Sequence, residues 1–104
     1  MSDLSQAAWR EQLEKDTEAI IIDVRTDEEV AEGMIPKAEH IDIFQSHTFI
    51  GKVQAMDASK NYYVYCKSGG RSAQACAIMN QMGIENAFNL VGGFTDWTGE
   101  VAYP

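Results

Sequence analysis

Apolar positions along the chain fall into two periods. Tyr62, Tyr63, Val64 and Tyr65 form a short aromatic and β-branched run, the composition of a buried strand. Beyond Gly70 the period becomes helical: Ala75, Ile78, Met79 and Met82 share one face, and Gly83 is placed to end that helix. The same alternation extends in both directions. Residues 5–15 read as a helix with Ser5 as cap and with Trp9 and Leu13 on one face. Residues 19–24 are an apolar run broken late by Asp23, the pattern of a central parallel strand. Thr26 and Glu29 form a capping box for a short acidic helix, which Gly33 and Pro36 stop.

Ile41, Asp42 and Ile43 read as another short strand. Phe49, Val53 and Met56 mark a helix capped by Ser46 or Thr48. Residues 87–91 predict a last strand. Gly92-Gly93 follows it, and then a final helical turn packed through Phe94 and Trp97. Strands alternating with helices over short loops predict an α/β fold with a central, mostly parallel sheet and helices on both faces. Ligands bind such sheets beyond the carboxyl ends of the strands. That end gathers Asp23, Val24 and Arg25, the residues after Tyr65, and Gly92-Gly93 around one opening.

Composition narrows what the opening serves. The 104 residues, 45% apolar with two prolines, predict one globular domain spanning 1–104. A net charge of −8 speaks against nucleic acid or an anionic membrane as partner. Yet Arg25, Lys67 and Arg71 all sit at strand ends, so a local positive pocket for a small anion is expected. The first twenty residues hold no apolar run of the kind found in signal or membrane-spanning segments, and the expected location is cytoplasmic. Two cysteines ten residues apart make no disulfide framework, so both are expected as thiols.

Candidate chemistry centres on Cys66, at the carboxyl end of the aromatic strand. Lys67, Ser68, Gly69, Gly70, Arg71 and Ser72 follow it into a helix that should begin near Arg71 or Ser72. Two adjacent glycines let the loop curl so that its amides point inward as a nest for an anion. The helix start adds its unpaired donors and positive dipole end. The simplest anion there is the Cys66 thiolate, favoured by those donors and by Lys67 and Arg71. A cysteine that merely ends a buried strand is the plain alternative. Cys76 lies further down the helix, carried away from Cys66 and into the core. His40 and His47 show no motif spacing to Cys66, although sequence leaves a His-assisted cysteine hydrolase open. No spacing matches a metal site, and no cofactor is expected.

With these motifs in place, the chain resembles the single-domain members of the rhodanese-like sulfurtransferase family. The likeness runs through IIDVR at 21–25, EEVAEGMIPKAEHI at 28–41, YVYCKSGGRS at 63–72 and MGIENAFNLVGGFTDW at 82–97. It departs at Gly33-Met34-Ile35, where the family pattern usually has Gly-His-Ile. The resemblance implies a rhodanese-like fold and a six-residue active loop from Cys66 to Arg71. It also implies a cycle in which the cysteine takes a sulfane sulfur from a thiosulfate-like anion as a persulfide. The sulfur then passes to cyanide, a thiol or a protein acceptor.

Within that reading, Arg71 is expected to fix the loop by bonding its carbonyls, and Lys67 to meet the donor. Asp23 and Arg25 are expected as a supporting ion pair. Two rivals stand beside it. A cysteine phosphatase or arsenate reductase needs one more loop residue between cysteine and arginine than is present here. A non-catalytic interaction module commonly lacks the cysteine.

Overall fold

The computed structural model describes residues 2–104. Its five strands, β1 (Ser2–Leu4), β2 (Ala19–Asp23), β3 (Glu39–His40), β4 (Asn61–Tyr65) and β5 (Ala87–Leu90), form one sheet in the order β1-β5-β4-β2-β3, with every neighbouring pair parallel. Four helices, α1 (Gln6–Glu14), α2 (Asp27–Ala31), α3 (Ser46–Gln54) and α4 (Gly70–Gln81), and a 3-10 turn at Gly93–Asp96 connect or follow the strands.

Side-chain alternation along β2 and β4 divides the core into two layers. Ile22, Val24, Tyr62, Val64 and Cys66 face α3 and α4, meeting Phe49, Val53, Ala75, Cys76 and Met79. Tyr63 and Tyr65 face the other way, against Trp9 of α1, Leu90, Phe94 and Trp97. Trp9 is fully buried and meets Tyr63, Tyr65 and Trp97 edge-on at centroid distances of 5.7, 6.4 and 5.8 Å. Such pairs contribute about 0.5–1.5 kcal/mol each beyond area burial, enough to pin α1 and the 3-10 turn to one face.

The caps explain several boundaries. The Ser5 side chain accepts from the Ala8 amide, and the Thr26/Glu29 capping box is complete in both directions. Elsewhere the structure corrects the sequence reading. The strand expected at 41–43 lies instead at Glu39–His40. Ile41 and Ile43 still donate to the Asp23 and Val24 carbonyls, but the Asp42 side chain caps the Phe44 amide and turns the chain away. Neither Ser46 nor Thr48 caps α3, whose N-cap is Gln45 without a side-chain bond. α4 begins at Gly70, ahead of Arg71, because Gly69 takes the left-handed conformation (φ 109°) that turns the loop into the helix. β1 escaped the sequence reading altogether: three residues with one apolar side chain carry no period, and only pairing with β5 makes them a strand. Among the described residues, no helix is long and apolar enough to cross a membrane.

Candidate active site

The strand order sets β4 between β2 and β5, so the segments leaving their carboxyl ends converge. Cys66 is the first residue beyond β4, and it is buried. The turn after β5 lies against its loop: Phe94 donates to the Cys66 carbonyl at 2.9 Å, and the Thr95 amide and hydroxyl to the Lys67 carbonyl at 2.9 and 2.8 Å. Contact is so close that a Cβ on Gly93 would stand 2.6 Å from the Cys66 and Lys67 carbonyl oxygens, which requires glycine there. With these carbonyls held outward by the 3-10 turn, the following amides are free to face the sulfur.

The Gly69 amide donates to Cys66 Sγ at 3.1 Å, and the Ser72 hydroxyl stands 3.3 Å from it. Burial pushes the Cys66 thiol up. The Ser72 hydroxyl and the amides of Ser72, Gly69 and Ser68 outweigh that, leaving the thiol below its ordinary value. Of the donors expected from Lys67 to Ser72, the Gly69 amide and the Ser72 hydroxyl stand within hydrogen-bond distance of the sulfur. Among the described residues, Cys76 has no such donors. Fully buried on α4 within the apolar layer, its thiol is pushed up to about 12 by burial.

Arg71 does not bond the loop carbonyls. Its guanidinium pairs with Glu29 of α2, Nη1 to Oε1 at 2.7 Å and Nη2 to Oε2 at 2.8 Å, and stands over the Phe44 ring at 5.7 Å. The two hydrogen bonds from Arg71 hold the Glu29 carboxyl down at about 2 in spite of partial burial. Asp23 and Arg25 are a buried pair with Nε at 3.0 Å from Oδ1 and Nη2 at 2.8 Å from Oδ2. Arg25 also donates to the Gly33 carbonyl at 2.7 Å and stacks 4.4 Å from the Phe94 ring, tying the loops after β2 and β5 together. Both arginines therefore have carboxylate partners.

Lys67 is exposed and lines a hollow of about 210 Å³ with Arg25, Glu29, Glu32, Phe94 and Thr95. With Arg25 paired to Asp23, Arg71 to Glu29, and Glu32 lining the same hollow as Lys67, the positive pocket expected from sequence is closer to neutral. A larger concavity borders the first residues of β2, with Leu13, Ile35 and Trp97 in its wall, away from the cysteine.

This architecture has close parallels. A family model, the rhodanese-like domain, matches residues 5–100. The chain belongs to the rhodanese-like domain family. Its relatives include Bacillus subtilis YtwF, provisionally named a sulfurtransferase, at 41% identity over 96% of this chain and 93% of that one. A protein named sulfurtransferase from Allochromatium vinosum is 30% identical over 93% of this chain and 88% of its own. Among solved structures, a rhodanese-like domain protein from Staphylococcus aureus superposes with a TM-score of 0.85 at 30% identity, covering 100% of this chain and 99% of that one.

Two residues of this rhodanese-like site were not singled out for it by sequence reasoning. Asn89, inward on β5, touches both Ser72 and Gly69. From sequence, Glu29 is only half of a capping box. The sole sequence signal for Asn89 is an amide interrupting the apolar 87–91 run. For Glu29 there was none, since its partner lies 42 residues away.

Proposed function

We propose that this chain is a sulfurtransferase in which Cys66 carries sulfur as a persulfide, within one rhodanese-like domain spanning 1–104. The observation supporting it most directly is the convergence of the Gly69 amide and Ser72 hydroxyl on Cys66 Sγ, at 3.1 and 3.3 Å. Relatives named sulfurtransferase or, in Pseudomonas aeruginosa, thiosulfate sulfurtransferase add to it.

In the first half-reaction the Cys66 thiolate attacks the outer sulfur of a thiosulfate-like donor. A new S–S bond forms, the donor's S–S bond breaks, and sulfite leaves with the electron pair. The terminal sulfur of the persulfide then bears the negative charge, for which the amides of Ser68, Gly69 and Ser72 are preorganised donors. In the second half, cyanide or a thiolate, free or on a protein, attacks the terminal sulfur and Cys66 leaves as thiolate. Neither half requires a general base. His40 is engaged elsewhere, its Nε2 2.6 Å from the Arg25 carbonyl oxygen and its Nδ1 facing Asp27. Lys67, at the mouth, meets the donor's charge. Two unpaired thiols suit a reducing compartment such as the cytoplasm.

Incubation with thiosulfate, followed by intact-mass measurement, should show the gain of one sulfur atom in the native protein, removed by cyanide as thiocyanate. Cys66→Ser should gain nothing while keeping its far-UV circular dichroism. A native protein that never acquires sulfur from thiosulfate or from a thiol persulfide would leave the interaction-module reading in its place.

A further inference from the structure

Ser72 has one hydroxyl proton and three acceptors within reach: Cys66 Sγ at 3.3 Å, the Gly69 carbonyl at 3.2 Å and Asn89 Oδ1 at 2.5 Å. Both Ser72 and Asn89 are buried, at 0% and 3% exposure, so solvent is poorly placed to supply a missing partner. The amide of Asn89 is oriented by its other end, where Nδ2 donates to Asp3 Oδ1 at 2.9 Å and to the Gly69 carbonyl at 3.3 Å. Oδ1 is thereby turned toward Ser72.

Two hydrogen-bond arrangements follow, one for each state of the cysteine. With Cys66 as a thiol, Ser72 donates to Asn89 and its lone pair can accept the S–H proton. With Cys66 as a thiolate, the best use of the hydroxyl proton is the sulfur, and Asn89 Oδ1 then loses its donor. Leaving a buried acceptor unpaired is unfavourable, so the amide opposes ionisation of a sulfur it does not touch.

We infer that Asn89 is a positioning residue that competes with Cys66 for the Ser72 hydroxyl and so sets how readily the sulfur ionises. The inference concerns the resting protein and holds whether or not thiosulfate is the donor.

Other charges around the sulfur are Lys67 and Arg71 on the loop and first turn of α4, the latter paired with Glu29 of α2. The Asp23–Arg25 pair stands at the end of β2, and Asp3 of β1 lies behind Asn89. α4 also carries the Cys76 thiol, while α3 presents Phe49 and Val53 to this layer. Substituting Asn89 alters only one of these directly, Asp3, which loses a donor.

The test is the pH dependence of Cys66 alkylation by iodoacetamide, read by peptide mass, for native protein, Asn89→Ala, Ser72→Ala and the double variant. Asn89→Ala should move the midpoint down by about half a unit to one unit, the size expected when ionisation no longer sacrifices one neutral hydrogen bond, Ser72 to Asn89. Ser72→Ala should move it up. In the Ser72→Ala background, the Asn89 substitution should produce no downward shift, because the hydroxyl through which it acts is gone. Asn89→Leu, nearer in volume, provides the same reading if the alanine variant does not fold. An unchanged or raised midpoint in the single Asn89 variants overturns the inference. So does an equal downward shift with and without the Ser72 hydroxyl, which would assign the effect to Asp3 or to loosened packing.

Discussion

Arg71 and Glu29 meet edge to edge across 42 residues of sequence, each guanidinium Nη bonded to its own carboxylate oxygen at 2.7 and 2.8 Å. Glu29 Oε1 accepts from the Thr26 amide as well, so one carboxylate both caps α2 and latches the arginine that follows the cysteine loop. The most prominent cation of the loop is therefore spoken for before any donor arrives.

Glu29→Gln should release it. Glutamine can still close the capping box, so α2 is retained while the charge that holds Arg71 is lost. The expected outcome is a several-fold fall in KM for thiosulfate with kcat little changed, stronger at low ionic strength, measured as thiocyanate formation. An unchanged or higher KM would show that Arg71 contributes nothing to donor capture even when free.

The same pair has a pH signature. Arg71 lowers the Glu29 carboxyl from 4.5 to about 2, so the folded state favours the charged form. The resulting stability is fully present above the unfolded value of 4.5 and is lost as pH falls through about 2. Urea unfolding of native protein and Glu29→Gln should differ by up to about 1 kcal/mol near neutrality for this partly exposed pair. The gap should close progressively in acid. A gap that persists at the acid end would place its cause in packing or capping.

Cys76 is expected to be inert. Its thiol is pushed up to about 12 by burial, and it packs among Val64, Ala75 and Met79 in the layer beneath the loop. Cys76→Ala should leave sulfur transfer within about twofold while lowering stability by about 1 kcal/mol for the small void. Loss of turnover at normal stability would mark Cys76 as a resolving thiol.

Gly93→Ala tests the contact between the two glycine-bearing turns. The new methyl would stand 2.6 Å from the Cys66 and Lys67 carbonyl oxygens, and the backbone there is left-handed at φ 56°. The loop has to move, so the variant should lose about 1–3 kcal/mol of stability. It should also lose most of its thiolate reactivity, read by iodoacetamide at fixed pH. Native reactivity in this variant would show that the carbonyl-out, amide-in arrangement does not depend on the 3-10 turn.

What could be read from the chain itself is what depends on neighbours a few residues apart. The alternating faces of β4, the Ser5 and Thr26/Glu29 caps and the apolar stripe of α4 are all local, and so are the adjacent glycines that let the cysteine loop curl. Family motifs then supplied the expected topology. Short-range logic failed where pairing outweighs pattern. β1 is a strand only because β5 offers it an edge, and β3 sits two residues early because it follows the end of β2.

The tertiary structure alone decided who partners whom at the site. Arg71, placed by sequence against its own loop, turns to Glu29, since the order β5-β4-β2 sets the start of α2 beside the start of α4. Asn89 reaches Ser72 because β5 lies next to β4, and Asp3 reaches Asn89 because β1 lies next to β5. A hydrogen bond falls off within a fraction of an ångström, whereas sequence fixes positions only along the chain. The cysteine and the glycines of its loop were thus encoded locally, whereas the turn after β5 that holds the loop's carbonyls outward and the side chains that tune the sulfur were assigned by strand order.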